Sequence, residues 1–553
     1  MTDIFRRLSA AESIPGRHPA AAAMLTALLL LSLAQALLPA APVWITDNGN
    51  KYIIMRKFAQ YGQLTVRHDI PGNYPAGGFH FRATPAGYRS FYPEFFPVVS
   101  ALPWRLFGDF GATLLPLLAG VLLAGAAAKR FGFICGVLTL FAAPCAFYSL
   151  LLWEMIPAVL AAFIALMLMR DGKFFRGALL LGLGLFLREE MYFIGASAGL
   201  VLLFRKAWRD LGRLCAGSLL GALPVWLAQY LMTGHVLGFH GSAYYLNNRQ
   251  GFSPADELAG VFWNYFQHLF RFETLPYFAL FGLLAVALGF FRGGPVRKMK
   301  APLLAAAALL FLAGAYRFTG SSALCYTAAL CAGFVTTLPL GWGFWANRRQ
   351  VSASLSGRTR FLAAVTVVYT FLVPPLLTRH DVGLFWGARH FLFVMPFVVF
   401  FSLRSARFMK GGKALLAGLA AVSVIWQLCG FAALSRVAWE SDNFTQAVLR
   451  ADPAGITASD LFFLPEQTPK LFFESTFCEL VTPEQVTNLC AEMRRRKLER
   501  FTFITSPQRS RLTPQARKAL AANVSHTGPV MRFESSASGF MDLLVFSIYL
   551  RKK

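Results

Sequence analysis

Runs of eighteen or more apolar residues recur along this chain, and they limit its fold more than any other feature. As a helix, a run of that length crosses the ~30 Å hydrocarbon core of a bilayer. A backbone in lipid must satisfy its own N–H and C=O groups, which leaves helices and closed barrels. The alternating ten-residue segments of a barrel are absent. The chain therefore reads as an α-helical polytopic membrane protein. Its composition agrees: of 553 residues, 56% are hydrophobic and 14% charged, with mean hydropathy +0.51. The first apolar segment, 20–45, follows Arg6, Arg7 and Arg17 and contains Ala34-Gln35-Ala36, which resembles a cleavage site. It is longer than the roughly 7–15 residues of a signal core, so it reads as an uncleaved first span.

The formal charge is +26. Lys and Arg fall in short clusters between the apolar runs, such as Lys129-Arg130, Arg205 to Arg213, and Arg404 to Lys413. That is the positive-inside pattern, and it excludes a nucleic-acid partner as the source of the charge. Taking each cluster as cytoplasmic predicts about 13 spans, with the N-terminus inside and the C-terminus outside. The expected spans include 20–43, 111–128, 131–151, 155–169, 214–232, 276–291, 301–317, 323–345, 361–377, 391–403 and 414–434.

The segment 177–204 lies between two basic clusters, which requires an even number of crossings, yet it is too short for two full spans. With Arg188-Glu189-Glu190 at its midpoint, it reads as a short hairpin with arms 177–187 and 191–204 and the charges at its tip. Residues 1–434 thus form the membrane part, with an outer loop at 44–110. Residues 435–553 read as a small extracytoplasmic α/β domain. Strands are expected at 456–464, 501–505 and 543–550, and helices at 483–499 and 513–523, with Thr482 as an N-cap. Cys478 and Cys490 fall in that domain, and a disulfide between them is expected only in an oxidising space.

The polar features expected on the outer face are the candidates for chemistry. Asp47 follows the first span, in Asp47-Asn48-Gly49-Asn50-Lys51. Alone it reads as a cap for a helix over 50–61. Glu154 occupies the turn between the third and fourth spans, and Glu189 and Glu190 sit at the hairpin tip, where Arg188 is placed to neutralise one of them. Tyr92 belongs to a loop rich in aromatic and basic residues. Arg379 and Arg389 precede a late span, where a guanidinium either clamps a phosphate or snorkels to the interface. The histidines show no metal-ligand spacing, and no metal site is expected.

Four features together resemble the GT-C superfamily of membrane glycosyltransferases, specifically its aminoarabinose and protein O-mannosyl transferases. They are Asp47 after the first span, Glu154 after the third, Phe91-Tyr92-Pro93-Glu94-Phe95-Phe96-Pro97, and Gly387-Ala388-Arg389-His390-Phe391. Two positions depart from the family pattern, with Asn48 in place of an acidic residue and Glu154 in place of Asp. The resemblance implies inverting transfer of a sugar from a polyprenyl-phosphate donor to a lipid, glycan or protein acceptor at the outer face of the bacterial inner membrane. Asp47 would be the general base, and Glu154, also catalytic, would support it or contact the acceptor or sugar. Arg389, Lys51 and Arg379 would bind the donor phosphate, supported by Glu189, Glu190, Arg188 and Tyr92. No cofactor is expected, and a divalent cation enters only for a diphosphate donor. The alternatives are a lipid-linked glycan flippase or transporter, or a non-catalytic subunit of a surface-polysaccharide assembly complex.

Overall fold

Apolar helices dominate the computed structural model, which describes residues 18–66, 70, 81–84, 87–90, 92–237, 254–269, 294–319, 333–376, 388–409, 411–451, 455–461, 464–533 and 543–551. In chain order these residues form α1 (Pro19–Ala36), α2 (Thr46–Tyr61), β1 (Thr65–Val66), β2 (Phe81–Thr84), β3 (Gly87–Ser90), α3 (Phe95–Phe107) and α4 (Leu114–Phe131). Next come α5 (Phe133–Phe141), α6 (Cys145–Ser149), α7 (Met155–Arg170), α8 (Phe174–Gly184), α9 (Glu190–Phe204), α10 (Trp208–Thr233), α11 (Pro254–Leu269) and α12 (Gly294–Thr319). They are followed by α13 (Phe334–Thr337), α14 (Trp342–Ala353), α15 (Gly357–Leu376), α16 (Met395–Ser405) and α17 (Gly412–Ala451). The last part contains β4 (Ile456–Ser459), α18 (Leu464–Gln467), α19 (Pro469–Glu474), β5 (Thr476–Glu479), α20 (Pro483–Arg495), β6 (Arg500–Thr505), α21 (Pro514–Asn523), β7 (Val524–Phe533) and β8 (Leu543–Leu550).

The chain divides into two compact units. One comprises Met1–Ala36 and Leu115–Ala432; the other comprises Leu37–Leu114 and Ala433–Lys553. Among the described residues, five helical segments are long and apolar enough to cross a membrane: Pro19–Ala36, Phe95–Phe131, Trp208–Thr233, Gly357–Leu376 and Gly412–Arg450. Met155–Arg170, Phe174–Gly184 and Glu190–Phe204 are shorter apolar helices. Leu219, Leu223, Leu227 and Leu231 recur at one-turn spacing on α10 and all lie exposed, as a lipid-facing helix requires.

In the first unit, α8 and α9 form the hairpin expected over 177–204. Their 11 and 15 residues give arms of about 16 and 22 Å, each shorter than the hydrocarbon core. The chain turns through tight Leu185→Gly182, Phe186→Leu183 and Leu187→Gly184 backbone bonds, which bring Arg188 and Glu190 to the tip. Close packing of α10 holds the hairpin. A Cβ on Gly217 would lie 2.4 Å from the Phe175 carbonyl oxygen, and one on Gly221 would lie 2.3 Å from that of Leu179. Glycines four apart therefore let the two backbones touch.

Some expected spans are modified. The third is broken into α5 and α6, with Pro144 preceding α6. The span expected at 391–403 is a 3-10 turn, Arg389–Phe391, followed by α16, which has Pro396 at its start. The one expected at 414–434 continues as α17 to Ala451. The span at 276–291, residues 323–332 of the span at 323–345, and Arg379 lie outside the described residues.

In the second unit, five strands pair in the order β5-β4-β6-β8-β7. β4 is parallel to β5 and β6, whereas β8 is antiparallel to β6 and β7. Helices α20 and α21 begin at Thr482 and Thr513, whose hydroxyls accept from Gln485 N and Ala516 N. The strand expected over 456–464 ends at Ser459, and Leu464 starts a helix whose second residue is Pro465, a residue suited to a first turn and not to a central strand. Two strands of this sheet escaped the sequence pattern, as did β1, β2 and β3 in the outer loop. β5 is only four residues long, and β7 carries Pro529 at a register shift, which the sheet tolerates because β7 is an edge strand. Cys478 and Cys490 are free thiols in one apolar core with Val486, Leu489 and Phe501, not a disulfide; burial pushes both thiols up.

Candidate functional site

In the second unit, Asp47 stands in the first turn of α2. The helix starts earlier than expected, at Thr46, so Asp47 is not its cap. Asn48 closes the entry turn instead: its Oδ1 accepts from Ile45 N at 2.9 Å and Trp44 N at 3.1 Å, and its Nδ2 donates to Pro42 O at 3.0 Å. That releases the Asp47 carboxylate for other partners. Its Oδ1 accepts from the Tyr92 hydroxyl at 2.5 Å, and the residue is only 7% exposed. Lys51, one turn along the same helix face, is buried with its Nζ 4.5 Å from the centre of the Tyr92 ring. The phenol thus meets a carboxylate through its hydroxyl and an ammonium across its face.

A rigid frame surrounds this trio. Asn50 donates to Glu466 Oε1 at 3.0 Å and accepts from Ser90 Oγ at 2.7 Å, tying α2 to α18 and β3. Gly49 lies against the same helix, where a Cβ would fall 1.6 Å from the Glu466 carbonyl oxygen. The Tyr52 hydroxyl donates to Asp109 Oδ1 at 2.5 Å, as does Trp104 Nε1 at 2.9 Å, while Lys470 pairs with Asp442 at 2.9 Å. Burial, reinforced by the Asp109 carboxylate, raises the Tyr52 phenol above its ordinary range. Arg89 forks onto both oxygens of Glu94 at 3.1 and 2.6 Å; burial pushes that carboxyl up and Arg89 opposes the shift.

The first unit holds a different cluster. Arg188 donates from Nε and Nη2 to the two oxygens of Glu190, at 2.9 and 2.6 Å, and from Nη1 to Glu154 Oε1 at 3.0 Å. Glu154 and Glu190 are 3% and 4% exposed. His390 Nδ1 lies 2.9 Å from Glu190 Oε1, and Arg389 Nε donates to His390 Nε2 at 3.3 Å. A guanidinium only donates, so Nε2 is the acceptor and the imidazole proton sits on Nδ1, facing Glu190. The Tyr369 hydroxyl fixes the same turn by donating to His390 O at 2.7 Å. Two guanidiniums and two carboxylates balance, as a buried ionic group requires.

The structure therefore brings together Glu154, Arg188, Glu190 and Arg389 in one unit, and Asp47, Lys51 and Tyr92 in the other. Glu189 is half-buried just before α9, outside the Arg188 bonds. Sequence reasoning missed His390, although it stands beside Arg389. It also missed Asn48, Asn50 and Glu466; the last comes from 416 positions away and gave no local signal. Among the described residues, no three His, Cys, Asp or Glu side chains gather as a metal site.

No protein-family model and no curated protein matches this sequence. Among solved structures, the chain is similar to ArnT from Cupriavidus metallidurans in a crystal structure bound to undecaprenyl phosphate. The identity is 14% and the TM-score 0.43, over 95% of this chain and 96% of that one. It is also similar to the apo state of that protein, at 14% identity and TM-score 0.42, over 96% and 98% of the two chains.

Proposed function

We propose that this chain is a membrane glycosyltransferase that moves a sugar, with inversion, from a polyprenyl-phosphate donor to a hydroxyl or amine on a lipid, glycan or protein. The observation that carries this reading is Asp47: a buried carboxylate, fixed by the Tyr92 phenol in the first turn of α2 beside Lys51. The Tyr92 hydroxyl holds the carboxylate in place, and a carboxylate so positioned can take a proton from an acceptor. In the reaction, the acceptor oxygen or nitrogen forms a bond to the anomeric carbon while its proton passes to Asp47. The bond from that carbon to the phosphate oxygen breaks, and polyprenyl phosphate leaves with the electron pair.

Within the first unit, Arg389 is a cation suited to a donor phosphate. His390, held by Glu190, orients Arg389 through its Nε2. Glu154 and Arg188 lock the hairpin tip behind His390 and act as positioning residues. The same reading puts the chain in the bacterial inner membrane with about 13 spans, the N-terminus inside and the sheet domain outside.

The test is full-length protein in proteoliposomes supplied with a polyprenyl-phosphate sugar. Polyprenyl phosphate should be released only when an acceptor is present. Movement of intact donor across the bilayer without release would replace transfer by transport. Arg389→Ala should raise the apparent KM for the donor by about tenfold or more, the loss of a charge-assisted contact. An unchanged donor dependence would make Arg389 an interfacial anchor.

A further inference from the structure

The pole of the sheet domain where two helices end carries a concentration of positive charge that the transfer reaction does not use. Helix α20 ends in Arg494 and Arg495, followed by Arg496 and Lys497, and α21 ends at Asn523. β6 starts at Arg500, opposite Tyr549 near the end of β8, and Arg551 follows β8. Hydrogen bonds draw these ends together. Arg494 Nη2 donates to Asn523 Oδ1 at 3.2 Å, Arg551 N to Asn523 O at 3.0 Å, and Leu550 N to Glu499 O at 2.8 Å. Arg494, Arg495, Lys497 and Arg551 are exposed, and Arg500 is partly so.

Among the described residues of these helix and strand ends, the carboxylates are Glu492 and Glu499. Glu492 binds Arg495 and Arg496, which hold it down to about 2, so its charge is spent within α20. Glu499 stands against the remaining Arg494, Lys497, Arg500 and Arg551. Cations at a helix C-terminus complement the helix dipole, which accounts for Arg494 and Arg495. Arg551 likewise serves the end of α21, its Nε donating to Val524 O at 3.1 Å, but Arg500, at a strand start, has no such account. Tyr549, 38% exposed beside them, adds the amphipathic ring type that settles at headgroup level.

We propose that this pole, built from Arg494, Lys497, Arg500, Arg551 and Tyr549, is a docking surface for an anionic phospholipid headgroup layer. The charges sit on turns and strand ends around one rim, so that several phosphates can be met at once. The single ring gives no series of stacking platforms for nucleic-acid bases. Each basic residue near an anionic bilayer strengthens association by about fivefold. The surface is independent of Asp47 and does not rest on the glycosyltransferase reading.

The experiment uses the full chain in nanodiscs of zwitterionic lipid and follows its co-flotation with phosphatidylcholine vesicles, with and without phosphatidylglycerol. The wild type should float with the anionic vesicles alone. Replacing all four, as R494Q/K497Q/R500Q/R551Q, should lower that partition by on the order of a hundredfold or more. The exposed single variant K497Q, which removes no hydrogen bond seen here, should lower it about fivefold. R517Q/K518Q, on the exposed face of α21, controls for diffuse net charge and should leave the partition nearly unchanged. An equal loss in that control, or unaltered flotation of the fourfold and single variants, overturns the proposal. Displacement by inorganic phosphate at constant ionic strength would reassign the pole to a free-phosphate site.

Discussion

The clusters around Asp47 and Arg188 both bury carboxylates, but they hold them with different chemistry. Glu190 accepts from two nitrogens of Arg188 and faces the Nδ1 proton of His390; Glu154 takes the third Arg188 nitrogen. Such carboxylates are pinned by full charges and suit the work of holding a hairpin tip together. Asp47 is instead met by a phenol, with an ammonium beyond the ring. The comparison teaches that burial alone does not fix how a carboxylate is held: a guanidinium meets Glu190 and a phenol meets Asp47.

Four substitutions sharpen or break this contrast. The largest effect is expected for Asp47→Asn, which should lower kcat by about 10³-fold, the scale of a lost general base. The thermal melt of the detergent-solubilised protein should hardly move. Retained turnover in that variant would remove the distinction between the two clusters. Arg188→Met should do the reverse. It leaves Glu154 and Glu190 buried against one another, at a cost of roughly 3–5 kcal/mol in unfolding free energy. A melt like that of the wild type would show that the tip is not braced by charge.

Gly49→Ala tests the frame behind Asp47. Its Cβ would run into the Glu466 carbonyl, so α2 or α18 must shift, for about 1–3 kcal/mol. Turnover should fall with stability, because the same helix carries Asp47 and Lys51. Stability lost with no change in turnover would uncouple the frame from the base. The smallest effect is expected at Arg130, whose 2.9 Å pair with Asp171 is half open to solvent. Arg130→Ala should cost about 0.2–1 kcal/mol, since exposed pairs are screened. A loss approaching that of Arg188→Met would mean that burial does not set the difference.

The hairpin at 177–204 was legible because a charged triplet in an apolar run too short for two spans leaves few solutions. The helix starts at Thr482 and Thr513 were legible because an N-cap followed by proline is a local signal. Asp47 was found as a residue, but its cap role was not upheld: Asn48, one position on, took the entry turn. Strand β7 was hidden by Pro529, which only an edge position permits.

By itself, then, the sequence determined the apolar spans, the basic clusters between them, the short hairpin and the acidic positions that interrupt lipid-soluble stretches. These follow from neighbours in the chain, since transfer of a segment into lipid depends on that segment's own composition. The tertiary structure alone decided which carboxylate meets an arginine and which meets a phenol. It set His390 on Glu190, 200 positions away, and Glu466 on Asn50, 416 positions away. Such partners are chosen by packing and hydrogen-bond geometry over distances along the chain that no local pattern records.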